Sequence, residues 1–399
     1  MSSWQTGIIN VPAGAGSVHV DTDDVPAVVV LMGANWLIED APLVAAGPTW
    51  FRGIAARKWD DPGTILQNAS AVKILGDAHW TDNHAVIQLD DGGSIGLRYR
   101  ADISAMDATG FTLSFDTGAS GYKIVYAVLT DVEHAGAFVG AAATTLALGW
   151  RAEACLLQGA WAGPSISGTD RTQEFFGGGA FPLDEGATGA GTAIMCFPTA
   201  PGGGQYVEDL DNLDPASVIA TGGHFTGPFL ITSNIHATPT GTGELSFTFS
   251  GDSEDGGIVA MWSNNQSRTG RTQPGTVAGD QAVVSGLPFA PALILGYAIG
   301  HTARGQGSAA PLHGHGGISL VSEETQWSCL VDVNPVQSFQ RGFIDNADSP
   351  TSWHAGTVEL TGDGFIMTTV EDSATPQNWV WHAFGEEIEA PGFFRVIKR

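Results

Sequence analysis

The sequence predicts an all-β protein made of three tandem, homologous antiparallel β-sandwich domains of a jelly-roll-like kind. Three observations predict this fold class. One block of apolar and turn residues occurs three times in the 399 residues, short alternating segments are bounded by turn residues, and no segment keeps a helical apolar stripe for three turns. The copies lie roughly 120 to 140 residues apart, which is a domain length and not a solenoid period.

Each copy opens with a short apolar strand and a second apolar run. The second runs are PAVVVLM (26–32), AEACLL (152–157) and PALIL (291–295). Continuous apolar runs such as VVVLM and LILGYAI are typical of strands that are buried on both faces.

Each copy closes with a glycine, an alternating strand, a turn and a final aromatic strand. The alternating strands are FTLSF after Gly110, ELSFTF after Gly243 and FIMTT after Gly364. Such alternation predicts half-buried antiparallel strands. The copies share apolar positions but no evident set of Ser, His, Asp or Glu, so the triplication favours a scaffold or a binding surface and indicates no reaction.

The repeat predicts domains at residues 1–131, 132–266 and 267–399. The first junction falls in a small-residue stretch at 131–143, which is either the edge of a strand or a linker. The second falls in the polar, Gly- and Pro-rich segment 263–280. Two Gly-rich insertions in the second copy, 177–192 and 199–205, are interpreted as surface loops.

Apolar residues that recur at equivalent strand positions are predicted to form the cores. They are Val28, Val30, Phe111, Phe115, Leu156, Phe247, Leu293, Ile294 and Phe365.

Composition narrows the function classes. Hydrophobic residues make up 43% of the chain and charged residues 15%, which is typical of a packed globular protein and not of a disordered one. The formal net charge of -26 repels polyanions, so nucleic acid is not an expected partner.

The C-terminal end is a local basic exception. Arg395, Lys398 and Arg399 stand beside Phe393 and Phe394. This tail either docks on an acidic partner or is a frayed end.

The cysteines and the longest apolar stretch predict neither disulfides nor membrane insertion. Cys155, Cys196 and Cys329 form no CxxC motif, and two of them lie in apolar strand-like runs, where a thiol behaves as a small hydrophobe. The longest apolar stretch, 25–38, is shorter than the roughly 20 residues that a membrane span needs. The first residues have no basic start and no apolar core, so no signal peptide is expected.

The block resembles a recurrent module of tailed-bacteriophage virion proteins. That module has an initial strand, a run with Gly, Phe and Pro, a Gly-rich middle, a Gly-Phe strand and a closing aromatic strand. The third copy matches it best, at Gly286, Pro288, Phe289, Pro291, Ile294, Gly362, Asp363, Gly364, Phe365, Trp381, Ala383 and Gly385. The second copy departs most, because Trp150 and Ala152 replace the aromatic residue and the proline.

This resemblance implies a non-enzymatic structural protein of the virion, of the tail or the tail tip, that acts in assembly or host adsorption. It implies other tail proteins as partners, a homo-oligomer or symmetric ring, and synthesis in the host cytoplasm. The alternative is attachment to the head of the virion, as a spike or decoration protein.

The late Gly-Phe strand and the closing strand are also similar to the H-type lectin fold, a small antiparallel sandwich that assembles as trimers and binds sugars. This likeness implies a pseudo-trimer within one chain and a host cell-surface glycan as ligand, which makes a lectin-like adhesin the alternative function. It supplies no sugar-binding residues.

Two clusters suggest metal ligands, although no metal or other cofactor is expected. His313 and His315 could place two imidazoles on one face of a strand, but Gly-flanked histidines in a loop are common, and no carboxylate triad lies nearby. Asp209 and Asp211 resemble a calcium loop, but the segment lacks the glycine and the bidentate glutamate of an EF-hand, so a solvated acidic turn is the simpler interpretation.

Tryptophans are candidate platforms for sugar rings, because an indole face packs against the apolar face of a pyranose. Trp262, Trp379 and Trp381 lie in the closing strands and are expected to be core residues. The surface candidates for ligand binding are Trp80, His84, Trp353 and His354.

Motifs of catalysis are missing from the sequence. No phosphate loop, nucleophile elbow or HExxH motif occurs. Two carboxylate pairs could serve a polysaccharide-degrading enzyme, namely Glu323 with Glu324 and Glu371 with Asp372. Adjacent residues on a strand point to opposite faces, so neither pair is expected to converge.

Overall fold

The computed structural model describes twenty segments of the chain. They are residues 3–34, 49–73, 78–90, 96–139, 144–148, 150, 152–160, 173–180, 192–198, 206–209, 219–221, 233–239, 244–249, 258–263, 266–299, 316–331, 336–339, 342–349, 352–371 and 379–387. Strands account for 72% of this part and none of it is helical, so the all-β prediction is confirmed. Accordingly, no helix long and apolar enough to cross a membrane occurs in these segments.

We group the strands in chain order into three strand sets of ten. The first set contains β1 (Ser3–Asn10), β2 (Gly16–Asp21), β3 (Val28–Ala34), β4 (Thr49–Lys58), β5 (Asp61–Lys73), β6 (Ala78–Asp82), β7 (Val86–Leu89), β8 (Leu97–Asp107), β9 (Gly110–Thr117) and β10 (Lys123–Thr130). The second set contains β11 (Ala135–Val139), β12 (Thr144–Ala147), β13 (Ala154–Ala160), β14 (Gln173–Ala180), β15 (Thr192–Pro198), β16 (Tyr206–Asp209), β17 (Ile219–Thr221), β18 (Ser233–Pro239), β19 (Glu244–Phe249) and β20 (Ile258–Trp262). The third set contains β21 (Gln266–Thr272), β22 (Gln281–Val284), β23 (Phe289–Ile299), β24 (Gly316–Ser322), β25 (Gln326–Val331), β26 (Val336–Phe339), β27 (Phe343–Ser349), β28 (Ser352–Thr361), β29 (Gly364–Glu371) and β30 (Trp379–Glu387).

The described strands of the three sets pair in the same order. Each set has a large antiparallel sheet, which is β1-β10-β3-β4-β5-β6 in the first, β11-β20-β13-β14-β15-β16 in the second and β21-β30-β23-β24-β25-β26 in the third. Each also has a small antiparallel sheet, which is β2-β9-β8-β7, β12-β19-β18-β17 or β22-β29-β28-β27. Homologous sandwiches would give this recurrence. The division into separate domains stays a prediction.

The first and second sets are joined through their backbones. β4 and β11 run parallel and pair at Lys58 and Ala137, and the amide N–H of Trp59 donates to the carbonyl of Ala137 at 3.0 Å. The two large sheets therefore form one continuous twelve-stranded sheet.

The large sheets are apolar on both faces. In β3, Val28, Val30 and Met32 point to one side, whereas Val29 and Leu31 point to the other, and all five are fully buried. Val28, Val30 and Met32 pack in a core with residues of the other strand sets, whereas Val29 and Leu31 pack against the small sheet of the same set. This arrangement confirms the prediction that the VVVLM run is buried on both faces.

One apolar core, which we call the shared core, contains residues of all three strand sets. At its centre the indole of Trp4 lies 5.9 Å from the ring of Trp262 and 5.4 Å from that of Phe384, and those two rings are 5.8 Å apart. Each of these three aromatic residues comes from a different set. Aromatic contacts of this kind stabilise a core beyond the burial of area alone.

A second kind of core lies between the large and small sheets of one set. In the first set it includes Phe111 and Phe115, and in the third it includes Ile294 and Phe365. Eight of the nine predicted core residues are buried as expected, and the side chain of Phe247 lies outside the described residues. Trp262, Trp379 and Trp381 are also buried, as predicted.

Described strands overlap three segments that the sequence placed at junctions or in a loop. Strand β11 occupies part of the small-residue stretch 131–143, for which the sequence left open the edge of a strand or a linker. Strand β21 occupies part of the polar stretch 263–280. The expected loop 177–192 begins with the last residues of β14 and ends with the first residue of β15. Its middle and the insertion 199–205 lie outside the described residues.

Two of the cysteines are buried thiols, as predicted. Cys329 belongs to the shared core, and burial raises the pKa of its thiol well above the usual value. Cys155 lies on β13 and is fully buried. Burial disfavours the thiolate of Cys329, so its reaction with oxidants is disfavoured too. The side chain of Cys196 is outside the described part.

His382 is a polar residue inside the shared core. It is fully buried on β30, its ring centroid is 3.9 Å from that of Phe384, and neither ring nitrogen has a hydrogen-bond partner among the described residues. Burial lowers its pKa to about 3, because the apolar surroundings disfavour the imidazolium form.

We expect the substitution Trp4→Ala to destabilise the chain by about 3 to 5 kcal/mol, because it removes a large side chain from the centre of the shared core. The matched control is Ile8→Ala on the same strand, where the side chain is 42% exposed and the loss should stay below about 1 kcal/mol. Urea-induced unfolding of the full chain, followed by circular dichroism, measures both. Equal losses would contradict a shared core built around Trp4.

We expect His382→Leu to reduce the sensitivity of the fold to acid. The unfolded imidazole takes up a proton near pH 6.5 and the folded one only near pH 3, so stability is full above pH 6.5 and falls as the pH falls towards 3. Between pH 6.5 and 5 the wild type should lose about 1.5 kcal/mol more than the variant. Parallel stability curves for wild type and His382→Leu would disprove this.

Candidate functional site

Two of the predicted ligand-binding residues lie close in sequence around the end of β6. Trp80 is on β6 and pairs through its backbone with Ala71, while its side chain is not among the described ones. His84 follows the strand, and its Nδ1 lies 2.7 Å from Oδ1 of Asp102. The amide of Gln67 donates to the same oxygen at 2.8 Å. These contacts orient the imidazole beside a carboxylate on β8.

The other predicted site residues are placed only in part. Trp353 and His354 lie on β28 and pair through their backbones with β27, and Asp209 ends β16, but the side chains of all three are outside the described part. His313, His315 and Asp211 lie outside it altogether. Within the described segments, no group of three or more His, Cys, Asp or Glu side chains could hold a metal ion.

A cleft of about 860 Å³ separates the first and third strand sets. Its walls are β1, the start of β23, the turn between β24 and β25, and β28. We call it the β1–β24 cleft. Sequence reasoning missed it, because its walls come from opposite ends of the chain.

The turn between β24 and β25 is fixed by its own hydrogen bonds and by β1. The backbone N–H of Ser322 donates to the carbonyl of Thr325 at 2.8 Å, and the N–H of Thr325 donates to Oγ of Ser322 at 2.9 Å. The hydroxyls of Ser322 and Thr6 are 2.6 Å apart, so this turn is bonded directly to the first strand set. Glu323 and Glu324 occupy the tip of the turn and are exposed.

Gln326 joins the large sheet of the third set to β28. Its Nε2 donates to the carbonyl of Val358 at 2.6 Å, and its Oε1 accepts from the N–H of Val358 at 3.2 Å. Because β28 alternates, Val358 faces the core while Glu359 is exposed along the cleft. The two hydrogen bonds of Gln326 therefore hold Glu359 on the same cleft as the two glutamates of the turn.

The β1–β24 cleft is acidic. Glu323, Glu324 and Glu359 line it, none of them forms an ion pair with a described residue, and no Lys, Arg or His is among the described residues of its wall. Burial raises the pKa of the Tyr126 phenol, and the negative charge of Glu324 raises it further. The lining also includes hydroxyl groups and the Gln326 amide, so the cleft can receive a cationic or a polyhydroxylated group.

The cleft corrects one sequence argument about carboxylates. Glu323 and Glu324 were expected to point to opposite faces of a strand. They lie instead in a turn, where that rule does not apply, and both line the same cleft. Glu359 was not singled out at all, although the outward position in the segment TVEL marks it as exposed. Glu371 ends β29, and Asp372 is outside the described part.

Comparison with known proteins adds no relative: no family model matches the chain, and no curated protein matches it in sequence.

We expect Glu324→Gln to lower the pKa of Tyr126, because the substitution removes the negative charge that disfavours the phenolate. The pKa should stay above the ordinary value of about 10, since burial, the larger cause, is unchanged. Ultraviolet titration of tyrosinate against a Tyr126→Phe reference isolates this residue. Glu133→Gln, an exposed carboxylate in another turn, is the control. An unchanged Tyr126 titration in Glu324→Gln would show that this carboxylate does not act on Tyr126.

Proposed function

We propose that the chain is a non-enzymatic structural protein of a tailed-phage virion, located in the tail or tail tip, where it acts in assembly and host adsorption. The observation that carries the proposal is the recurrence of one pairing order in three strand sets around a shared core. One chain thereby presents three outer surfaces of similar backbone, which suits a component of a symmetric ring. The resemblance of the sequence block to virion modules supports the same role.

The partners in this proposal are other tail proteins and a glycan of the host surface. Adhesion would use surface loops, since the strands of a sandwich serve as a rigid support for variable loops. Several weak sites on one chain would gain affinity by avidity if the host glycan repeats.

A polysaccharide-degrading activity is the second candidate, and the β1–β24 cleft is the observation that favours it. Glycosidases use two carboxyl groups held roughly 5 to 10 Å apart across the scissile bond. Three glutamates line this one cleft. An acid and a base could therefore be drawn from Glu323, Glu324 and Glu359.

Mass spectrometry of purified particles tests the virion role. Phage produced by a bacterium that carries the gene should contain the chain in constant proportion to the major tail protein. Its absence from infectious particles, while it is abundant in the lysate, would reject the proposal.

Incubation with host envelope polysaccharide separates the adhesin from the enzyme. We expect saturable binding of the purified chain with no shortening of the polymer, because the role proposed is attachment without turnover. No binding would restrict the chain to a purely structural role. Release of reducing ends that is abolished in Glu359→Gln, and kept in the control Glu133→Gln, would overturn the non-enzyme proposal.

A further inference from the structure

The outer face of the small sheet in the third strand set carries apolar side chains that water reaches. Val283 on β22 is 64% exposed, and Val370 on β29 is 38% exposed. Ile366 is half-buried, lies directly opposite Val283, and shares its side of β29 with Val370. Single exposed apolar residues are ordinary on a protein surface, but neighbouring ones often mark an interaction site. We call the surface of Val283, Ile366 and Val370 the third-set outer face.

The first strand set is polar at the corresponding positions. The pairing of β2 with β9 aligns residue by residue with the pairing of β22 with β29. His19 and Thr112 thereby hold the places of Val283 and Ile366, and a hydrogen bond of 2.9 Å joins their side chains. A polar pair at these places is compatible with the fold, so the strand geometry does not itself require apolar side chains there. Contact with a partner supplies the missing cause.

Acidic side chains border the third-set outer face. In the pairing of β28 with β29, Glu359 lies directly opposite Ile366, so it stands in one row with Ile366 and Val283. Neighbouring strands are about 4.8 Å apart, so this row is roughly 10 Å long. Glu359 also lines the β1–β24 cleft, which the exposed Glu323 and Glu324 line as well. Apolar and acidic groups are therefore continuous over one surface.

These two kinds of group select among the possible partners. Nucleic acid, or a second copy of this chain with its net charge of -26, would bring like charges onto the three glutamates. Valine and isoleucine lack the aromatic faces on which sugar rings stack. A protein segment with an apolar stripe flanked by Lys or Arg matches the surface, because it covers the aliphatic side chains while its cations pair with the carboxylates.

We propose that the third-set outer face, together with Glu323, Glu324 and Glu359, is a docking surface for a basic amphipathic segment of another protein. The apolar stripe of that segment packs on Val283 and Ile366, and its Lys or Arg side chains form ion pairs with the three glutamates. A helix is about 10 Å wide, so one helix covers the row from Val283 to Glu359. This inference is independent of the virion role, and its failure would leave that role untouched.

Binding of a designed amphipathic helix to the full chain tests the docking surface. The probe carries a leucine stripe flanked by lysines, and its counterpart has the same lysines with glutamine in place of each leucine. We expect the leucine probe to bind about tenfold more tightly, because only this probe can cover the apolar row. Fluorescence anisotropy measures both affinities. No binding of the leucine probe would overturn the proposal, and so would equal binding of the two, which reports only attraction to the net charge.

Substitutions locate the binding of the leucine probe on the surface. Val283→Thr and Glu359→Gln should each weaken it about threefold or more, because each removes one contact. The matched controls are Val139→Thr, at a valine of β11 that is 53% exposed, and Glu133→Gln, in another exposed turn, and both should leave the affinity unchanged. Circular dichroism of each variant verifies that the fold is kept. Equal affinities in all four variants would contradict docking at this face.

Analytical ultracentrifugation of the chain alone distinguishes the other occupant. We expect no self-association through this face, because the glutamates of two copies would repel each other. Self-association that Val283→Thr abolishes would assign the face to a second copy and overturn the proposal.

Discussion

The structure depends on one constraint, which is that each large sheet has a second apolar face that its own small sheet cannot cover. The strand sets cover these faces for one another, and the shared core with Trp4, Trp262 and Phe384 is the result. A free strand set would expose this face to water, at a cost of roughly 25 cal/mol for each square ångström of apolar surface. The three sets are therefore coupled energetically. The first and third sets also have a core between their own two sheets, and the described strands of the second set have the same pairing order.

The joints that the first strand set makes with the other two differ in what holds them. Short connections link β10 to β11 and β20 to β21, whereas the first and third sets have no direct link in sequence. Where β4 and β11 are neighbours, backbone pairing at Lys58 and Ala137 seals the joint. Where the two ends of the chain meet, a hydroxyl pair of Thr6 and Ser322 holds it and a cleft remains. The cleft thus lies where segments from distant parts of the sequence meet without backbone pairing between the described strands of the first and third sets.

Local pattern predicted much of the fold and little of the site. The alternation around Phe111 and Phe365 and the continuous run at 28–32 indicated which strands are buried on one face and which on both. Strand β1 was missed, because SWQTGIIN has no clear alternation and Trp4 is buried by residues more than 250 positions away in sequence. The cleft was missed for the same reason, since Thr6 and Ser322 are separated by 316 positions. Single-sequence periodicity carries no signal for contacts of that range.

The shared core is filled by unequal residues at corresponding positions of the three strand sets. Leu129, Trp262 and Phe384 occupy corresponding positions on β10, β20 and β30, and the strand beside each contributes Trp4, Ala135 or Ser267 respectively. The large Trp262 lies opposite the small Ala135, and the large Phe384 lies opposite the small Ser267. In the first set the order is reversed, because the smaller Leu129 lies opposite the large Trp4. A symmetric trimer of identical sets would place three copies of one such pair around the axis. Three tryptophans at the Trp4 position would overfill the centre, and overpacking of this kind destabilises a core. In a single chain the three pairs need not be identical, so unequal and complementary side chains can fill the centre.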